Sequence, residues 1–458
     1  MVNKNIFREY DIRGIVDTDL TDESVALIGK GFASYVNKRL PEKNGKLTIT
    51  LGRDVRTHSK RFRDILVNSF IESGIDVIDI GEVTTPVTYY SATALKPDAN
   101  LMITGSHNPS NYNGFKMGVG KGSVFGSAIQ EILEIILKED FVSGKGSVRE
   151  QDIVEDYIEM VCERIKPSKK MKVVVDSGNA TGALFAERLM KKLGIEVIGL
   201  FGDVDGNFPN HHPDPTVEKN LVDLKAKVAE TGADLGVGFD GDCDRIGAVS
   251  NKGNVIWGDQ LLAIFARDVL SRNPGQEVVF DVKCSQGLVE DIEAHGGKPL
   301  MWKTGHSLLK NKMKEIGGLI AGEMSGHIFF GENYFSFDDA VYGACKLTEI
   351  LSNYDGTSDE MLKSIPYYHS TPEIRAECAS DEEKFEIVKK AVEYFPQHYK
   401  VIDIDGVRIL LDEGWGLIRA SNTQPVIVLR FEAKTPEKLE EYQKTIVGKL
   451  REFGEFTI

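Results

Sequence analysis

A threefold internal repeat limits the folds that this chain of 458 residues can adopt. Each copy opens with an apolar strand pattern that ends in a polar turn, at Leu47–Asp54, Lys172–Asn179 and Glu277–Lys283. Each continues with a segment of helical periodicity and a second strand pattern that opens with glycine, at Gly74, Gly194 and Gly296. Strands that alternate with helices predict parallel or mixed sheets that are covered on both faces.

Each copy closes with a third strand and a loop rich in functional groups, at Thr104–Pro109, Asp240–Arg245 and Gly322–His327. In such sheets ligands collect beyond the carboxyl ends of the strands, so three equivalent loops could face one central cleft. We therefore predict an α/β protein with three similar α/β/α domains of mixed sheet, at residues 1–150, 151–252 and 253–365. The glycine-rich segment Lys116–Gly126 is predicted to be a flexible loop.

The last part of the chain, residues 366–458, lacks the repeat and is predicted to be a smaller α+β domain. Helical periodicity runs over about Asp381–Tyr394 and Pro436–Phe453, with four short strand patterns between these two segments.

Composition argues against several classes of binding partner and indicates the cellular compartment. A net charge of −15 argues against nucleic acid and anionic membranes, but it does not exclude a small anionic substrate held in a local basic pocket. The five cysteines are scattered and form no CxxC pair, which predicts reduced thiols and a cytoplasmic protein. The first residues carry no apolar segment of the kind found in a signal peptide, and no apolar run approaches membrane-spanning length.

The first loop presents a candidate nucleophile. A strand pattern ends abruptly in Thr-Gly-Ser-His-Asn-Pro, which places Ser106 and His107 on a tight polar turn. Gly105 is expected to allow strained backbone angles, and Pro109 prevents the turn from winding into a helix. A serine beside an imidazole on such a turn is a candidate nucleophile, although an ordinary surface turn is the alternative.

The second loop presents a candidate metal site. Asp240, Asp242 and Asp244 alternate along the sequence, and in extended backbone alternate side chains point to the same side. Three carboxylates on one side suit Mg²⁺, whereas Cys243 should point away. The alternative is a solvated acidic turn, but three like charges this close repel each other unless a cation is present.

The remaining loops could bind a phosphorylated sugar. Glu323 and Ser325 can accept and donate hydrogen bonds to neighbouring sugar hydroxyls, although a plain turn is equally compatible with these residues. The segment Arg419–Pro425 supplies a guanidinium, hydroxyls, an amide and turn N–H groups that suit a phosphate, with Arg430 as a candidate second cation.

Together these loops resemble the α-D-phosphohexomutase family over essentially the whole chain. Thr104–Pro109 resembles its phosphoserine loop, Asp240–Arg245 its metal loop, Gly322–His327 its sugar loop and Arg419–Thr423 its phosphate loop. The opening segment Phe7–Gly14 looks like that of the bacterial phosphomannomutase/phosphoglucomutase branch. The family fold has three similar α/β domains and a smaller fourth domain around one cleft, in agreement with the repeat.

The resemblance implies an enzyme that interconverts hexose 1-phosphate and hexose 6-phosphate, with mannose or glucose as the sugar. Ser106, as phosphoserine, would donate its phosphoryl group to the bound phosphosugar, which gives a hexose 1,6-bisphosphate intermediate that also serves as activator. The protein would be a monomer or a dimer. Mg²⁺ would be bound by phosphorylated Ser106 and the three aspartates.

The resemblance also assigns roles residue by residue. The catalytic set would be Ser106, His107, Lys116, Arg245 and His327, and the general base could be Lys116, His327 or His306. Substrate would be bound by Tyr10, Arg13, Lys283, His306, Glu323, Ser325, His327, Arg419, Ser421, Asn422, Thr423 and Arg430.

Three alternatives remain at this point. Phosphoglucosamine mutase shares the family, but its sugar loop usually carries Gln where this chain has Met324. A metal-dependent sugar phosphatase would need Ser106 open to water. A non-catalytic phosphosugar sensor would not need a serine beside a metal site.

Overall fold

The first 150 residues, which contain the first repeat, form a seven-stranded sheet. A computed structural model describes residues 2–41, 43, 45–421 and 425–458. The first elements are β1 (Ile12–Ile15), α1 (Asp22–Arg39), β2 (Thr48–Arg53), α2 (Ser59–Glu72), β3 (Asp76–Glu82), α3 (Thr85–Ala94), β4 (Ala99–Ile103), β5 (Tyr112–Val119), β6 (Gly122–Ser123), α4 (Ser127–Leu137) and β7 (Val148–Glu150). Side-chain caps start two of the helices, because the oxygens of Thr21 and Thr84 accept hydrogen bonds from Ser24 N and Val87 N.

The second repeat forms a five-stranded sheet of the same kind. Its elements are α5 (Val154–Arg164), β8 (Lys172–Asp176), α6 (Ala186–Lys192), β9 (Glu196–Leu200), α7 (Val222–Thr231), β10 (Leu235–Phe239), β11 (Ile246–Ser250) and β12 (Val255–Ile256). The third repeat follows with α8 (Gly258–Arg272), β13 (Glu277–Asp281), α9 (Gln286–Ala294), β14 (Lys298–Trp302), α10 (His306–Ile316), β15 (Ile320–Gly322), β16 (Ile328–Phe330), α11 (Ala340–Ser352) and α12 (Ser358–Lys363).

The sequence repeat is also a repeat of strand order. In each copy the first strand is central and pairs in parallel with the second strand on one side and the third on the other. The three sets are β3-β2-β4, β9-β8-β10 and β14-β13-β15. Antiparallel strands extend the first two sheets, because β5 pairs with β4 and β11 pairs with β10. The predicted mixed sheets are therefore confirmed.

The last part of the chain is an antiparallel sheet with two helices. Its elements are β17 (His369–Ser370), β18 (Ile374–Glu377), α13 (Asp381–Tyr394), β19 (Lys400–Ile402), β20 (Val407–Leu410), β21 (Gly414–Ala420), β22 (Val426–Ala433) and α14 (Pro436–Leu450). The strand order is β17-β22-β21-β20-β19, and β18 also pairs with β22. Apolar residues of α13 and α14 join the buried face of this sheet in one core. The predicted α+β architecture is confirmed.

The predicted flexible loop at Lys116–Gly126 is wrong. β5 continues through Lys116 to Val119, and β6 pairs back onto it. Gly118 serves close packing here, because a Cβ at this position would lie 2.8 Å from the Asn100 side chain. Lys116 therefore lies on a strand, which holds its side chain in place.

By internal contacts the chain forms two compact units. The first comprises Met1–Leu261 with Ser325–Leu362, and the second comprises Leu262–Met324 with Lys363–Ile458. The three predicted domain boundaries remain predictions. Within the part of the chain that is described, no helix has the length and apolarity needed to cross a membrane.

Candidate active site

The predicted nucleophile lies at the end of a completely buried strand. β4 is buried along its whole length and delivers Ser106 to a turn where the serine is itself buried. The Ser106 Oγ donates a hydrogen bond of 2.8 Å to Asp240 Oδ2, and it lies 3.2 Å from His107 Nδ1. The predicted meeting of the serine loop with the acidic loop is thus present within the first unit.

The strained residue of this turn is the serine rather than the glycine before it. Ser106 has φ of 47°, in the left-handed region that non-glycine residues rarely adopt. Gly105 is needed for a different reason, since a Cβ there would lie 2.5 Å from the Arg56 guanidinium carbon. The expectation for Gly105 was therefore wrong in its cause, because a close approach and not a left-handed φ requires glycine.

The three predicted metal ligands form one buried cluster. Oxygens of Asp240, Asp242 and Asp244 all lie within 4.8 Å of one another, and the three side chains are fully buried. The loop is a turn and not extended backbone, because Cys243 has φ of 60°. Convergence of the carboxylates was predicted correctly, whereas the turn that produces it was not.

The cluster has the chemistry of a site for a hard cation. The oxygens Asp242 Oδ1 and Asp244 Oδ1 are buried and accept no hydrogen bond within the described structure. Burial, together with repulsion from Asp242 and Asp244, holds the pKa of Asp240 well above its usual range. A divalent cation coordinates buried carboxylate oxygens of this kind, which have no hydrogen-bond donor of their own. The residues present therefore could bind a metal.

Lys116 supplies positive charge to the same cluster. Its Nζ donates a 2.7 Å hydrogen bond to Asp242 Oδ2 and a shorter contact to Asp244 Oδ2, and the Thr85 hydroxyl donates to Asp242 at 2.6 Å. Burial opposes charge on Lys116, but the two carboxylates outweigh burial and raise the pKa of the lysine well above its usual range. The same lysine and Thr85 outweigh burial at Asp242 and lower the pKa of that carboxyl.

Arg245 and His327 form a second pair beside the cluster. Arg245 Nε donates to His327 Nε2 over 3.0 Å, and His327 Nδ1 lies 2.9 Å from Asp338 Oδ2 and 3.6 Å from Asp244 Oδ1. A neutral imidazole that accepts at Nε2 carries its proton on Nδ1, facing the carboxylate of Asp338. This arrangement fixes the ring orientation of His327.

The other predicted residues of the first unit surround the serine turn. Arg13 Nη1 donates to Asn108 Oδ1 at 2.7 Å, and Arg13 Nη2 lies 2.5 Å from Asp11. Burial and the positive charges of Arg245 and Arg13 lower the pKa of His107 well below its usual range, so this imidazole is neutral. Tyr10 and Ser325 are half-buried turn residues, and their proposed roles remain predictions.

In the second unit, Asp281 at the end of β13 connects loops that carry predicted site residues. Asp281 accepts hydrogen bonds from Thr304 Oγ1 at 3.0 Å and Met324 N at 3.0 Å, so it ties together the loops that follow β13, β14 and β15. The Glu323 carboxylate accepts a 2.6 Å hydrogen bond from Gly305 N, directly before half-buried His306 at the start of α10.

The cations of the second unit have carboxylate or carbonyl partners. Lys283 lies 3.2 Å from Glu373 and lowers the pKa of that carboxyl to about 2, and Arg419 Nε donates to Asp405 Oδ2 over 3.1 Å. Arg430 donates to the backbone oxygen of Lys283, a contact that holds the loop in which Lys283 lies.

The phosphate loop is described only at its first residue. Ser421 is buried, and its backbone oxygen accepts a 2.8 Å hydrogen bond from the Lys384 ammonium. Asn422 and Thr423 lie outside the described residues, so their proposed contacts with phosphate remain predictions.

Sequence reasoning missed four residues that organise the first unit's site: Asp54, Arg56, Thr85 and Asp338. Each is buried and acts on a predicted site residue or on its loop. The available signal was weak: Arg53-Asp54-Val55-Arg56 places alternating charges directly after a strand that belongs to the repeat.

Four matching domain descriptions cover almost the whole chain. They are "Phosphoglucomutase/phosphomannomutase" alpha/beta/alpha domain I at residues 4–143, domain II at 155–253, domain III at 257–368 and the C-terminal domain at 373–449. A phosphomannomutase/phosphoglucomutase of Pseudomonas aeruginosa is 46% identical over 449 residues, which are 98% of this chain and 96% of that protein. A phosphoglucomutase of Neisseria meningitidis serogroup A is 46% identical over 96% of both chains.

Solved structures agree with this assignment. A phosphoglucomutase/phosphomannomutase family protein of Burkholderia thailandensis superposes with a TM-score of 0.93 at 38% identity, with full coverage of both chains. The sequence-based assignment to an enzyme family of mutases is confirmed. The chain therefore belongs to the phosphoglucomutase/phosphomannomutase family of α-D-phosphohexomutases.

Proposed function

We propose that this protein is a phosphohexomutase that interconverts the 1-phosphate and 6-phosphate of mannose and glucose through phosphorylated Ser106. The observation that carries the proposal is the Ser106 Oγ, held on a left-handed residue and bonded at 2.8 Å to one member of a buried cluster of three carboxylates. Relatives that are 46% identical over nearly the full chain and are named phosphomannomutase/phosphoglucomutase support it.

The reaction would have two phosphoryl transfers. In the first, the bond between phosphorus and Ser106 Oγ breaks, a bond to the free sugar hydroxyl forms, and the proton of that hydroxyl passes to a base on the chain. In the second, the hexose 1,6-bisphosphate presents its other phosphate, whose bond to the sugar breaks as Ser106 is phosphorylated again. The sugar oxygen recovers a proton, and the enzyme returns to its starting state.

Residues of the first unit would position the serine and stabilise charge. Lys116, Arg245 and Arg13 place cations beside the turn that bears Ser106. Asp240, Asp242 and Asp244 would hold Mg²⁺, together with an oxygen of phosphorylated Ser106. When bound, Mg²⁺ supplies electrostatic stabilisation for the phosphoryl oxygens. His327 is oriented by Arg245 and Asp338, which supports it as a base candidate alongside Lys116 and His306.

Residues of the second unit would bind the sugar and the phosphate that is not transferred. Glu323 and Ser325 would hold sugar hydroxyls. Lys283, His306, Arg419, Ser421, Asn422, Thr423 and Arg430 would bind the remote phosphate or its surroundings. Lys283 and Arg419 are buried, and their ion pairs with Glu373 and Asp405 support this by keeping both cations ordered before substrate arrives.

The decisive experiment follows the phosphate on Ser106. Intact mass of the purified protein should show a fraction heavier by one phosphoryl group, and Ser106→Ala should lose both that species and mutase turnover. Ser110→Ala is the matched control, since it removes a hydroxyl from the same turn and should retain turnover. A Ser106→Ala enzyme with wild-type turnover would overturn the mechanism.

A substrate panel separates the alternatives. Mannose, glucose and glucosamine 1-phosphates should be compared by kcat/KM, and release of inorganic phosphate should be measured in the same assays. Preference for the glucosamine phosphate would move the chain to the phosphoglucosamine mutase branch, whereas stoichiometric phosphate release would identify a phosphatase.

We further infer a cytoplasmic monomer or dimer, consistent with five cysteines that all lie in the described chain and form no disulfide.

A further inference from the structure

One buried guanidinium, that of Arg56, binds the backbone of the turn that bears Ser106. Arg56 is 3% exposed and donates four hydrogen bonds to backbone oxygens of this turn. Its Nη2 donates to Ser106 O at 2.8 Å and to Asn108 O at 2.6 Å. Its Nη1 donates to Pro109 O at 2.6 Å and to Tyr112 O at 3.1 Å. A single side chain thus fixes the carbonyl group of Ser106 and those of three residues that follow it in the turn.

Asp54 holds this arginine and the turn at the same time. Its Oδ2 accepts a 3.1 Å hydrogen bond from Gly105 N and lies 3.2 Å from Arg56 Nε. Its Oδ1 accepts from Ser59 Oγ at 2.5 Å and from Arg56 N at 3.1 Å. The backbone on the amino-terminal side of Ser106 is therefore bound by the carboxylate, and the backbone on its carboxyl-terminal side is bound by the guanidinium.

A segment of the second repeat covers the other side of Arg56. The Phe208 ring centroid lies 5.1 Å from the guanidinium carbon, and a Cβ on Gly206 would lie 2.4 Å from Val55 O. This close packing leaves Arg56 no room to change its conformation without moving both repeats. Its four donors are therefore fixed in direction, a geometry that lysine cannot reproduce because its ammonium is a single point.

The support has a clear task, because Ser106 is in a strained conformation. A non-glycine residue in the left-handed region costs on the order of 1–3 kcal/mol and persists only when its surroundings over-determine it. Arg56 and Asp54 bond directly to the backbone of this turn, together with the Thr104 hydroxyl, which accepts a 2.8 Å hydrogen bond from Ser106 N. Without them we expect the serine to relax and the direction of its Oγ to change.

We propose that Arg56, held by Asp54, is a positioning residue for phosphoryl transfer, which fixes the direction of the Ser106 Oγ through the backbone and without touching substrate. The proposal rests on the proposed function of Ser106. A displacement of about 1 Å at a reacting group lowers turnover on the order of a hundredfold. Arg56 should therefore affect kcat and leave KM nearly unchanged, since the sugar and its remote phosphate are bound by other residues.

The test compares Arg56→Met with Arg63→Met. Arg63 is a matched control, because it also pairs with a buried aspartate of the first sheet, Asp79, but does not bond to the serine turn. The measurements are kcat per phosphorylated enzyme, KM for glucose 1-phosphate, melting temperature, and the ³¹P resonance of the phosphoserine. Arg56→Met should lower kcat roughly a hundredfold with KM within about threefold, and should shift or broaden the ³¹P resonance. Arg63→Met should lower only the melting temperature.

Each outcome decides between the proposals. Wild-type kcat and an unchanged ³¹P resonance in Arg56→Met would overturn the positioning role while leaving the proposed function intact. A wild-type protein with no phosphoserine and no mutase turnover would instead overturn the proposed function. If Arg56→Met does not fold, Arg56→Lys and Asp54→Asn decide on the same readouts, since both preserve side-chain volume better. Wild-type kcat in those two variants would overturn the role equally.

Discussion

Replacing Lys116 with methionine should make the stability of the first unit depend strongly on magnesium. The Lys116 ammonium is buried and bridges Asp242 and Asp244, whose side chains are fully buried. Methionine keeps the length of the chain but removes the charge, so the carboxylates of the cluster lose their direct cationic partner. Removing one partner of a buried ion pair costs about 3–5 kcal/mol, because it leaves buried charge uncompensated.

That energy sets the size of the expected effect. For a domain of about 150–250 residues, 1 kcal/mol shifts the melting temperature by about 2–4 °C, so a loss of about 3–5 kcal/mol lowers it by roughly 6–20 °C in the presence of a chelator. A cation that binds only the folded state stabilises it by about 2.7 kcal/mol at a hundred times its Kd. Magnesium should therefore restore much of the loss in Lys116→Met, and should stabilise this variant more than the wild type.

The assay is thermal unfolding of both proteins with a chelator and with a magnesium series. Lys384→Met is the matched control, since Lys384 is an equally buried lysine paired with Asp381, far along the chain from the acidic cluster. Its stability should fall without any magnesium dependence. If Lys116→Met melts within 2 °C of the wild type in chelator, or if magnesium shifts both proteins equally, the charge balance described for this cluster is wrong.

Two further predictions concern buried charge. Burial raises the pKa of Asp339 to about 7, so this carboxyl binds its proton more tightly in the folded state than in the unfolded state. The contribution of this group to folding stability is therefore complete below about pH 4 and is lost as the pH rises through 7. Relative to the wild type, Asp339→Asn should therefore gain stability between pH 4 and 8, by up to about 4 kcal/mol in urea unfolding; a constant difference across that range would contradict it. Arg419→Ala removes a guanidinium that Asp405 holds in place. We expect a KM for glucose 1-phosphate about tenfold to a hundredfold higher, the effect of a lost charge-assisted bond of about 1.5–3 kcal/mol, with phosphorylation of Ser106 unchanged in intact mass; an unaltered KM would exclude it from phosphate binding.

The architecture could be predicted because it is encoded in local patterns that recur. Three strand patterns, each with its own helix and glycine-opened second strand, specify three copies of one parallel unit, and all three have the same strand order. The loops could be predicted because a parallel strand delivers its carboxyl end to the functional edge. Position in the repeat therefore identified both Ser106 and the acidic loop.

The parts that could not be predicted depend on contacts between distant segments. The glycines near Lys116 were interpreted as flexible, because the sequence does not show that Asn100 packs against Gly118. The left-handed φ of Ser106 and of Cys243 follows from the tertiary environment, since neither residue type favours that region. The role of Arg56 could not be predicted for the same reason. Its partners are backbone carbonyls, which every residue has, so no sequence motif identifies them.

Charge around Ser106 is balanced locally although the whole chain is acidic. A net charge of −15 repels an anionic substrate at a distance, but at physiological ionic strength the field of surface charges falls off over about 8 Å. Close to the serine, Arg13, Lys116 and Arg245 act against the carboxylates of the acidic loop, and all these groups have buried or half-buried side chains with fixed partners. Because they are ordered before substrate arrives, stabilising a transferred phosphoryl group would require little reorganisation. The acidity of the chain and the anionic nature of its substrate are therefore compatible, since the local arrangement of a few buried charges decides the affinity and the net charge does not.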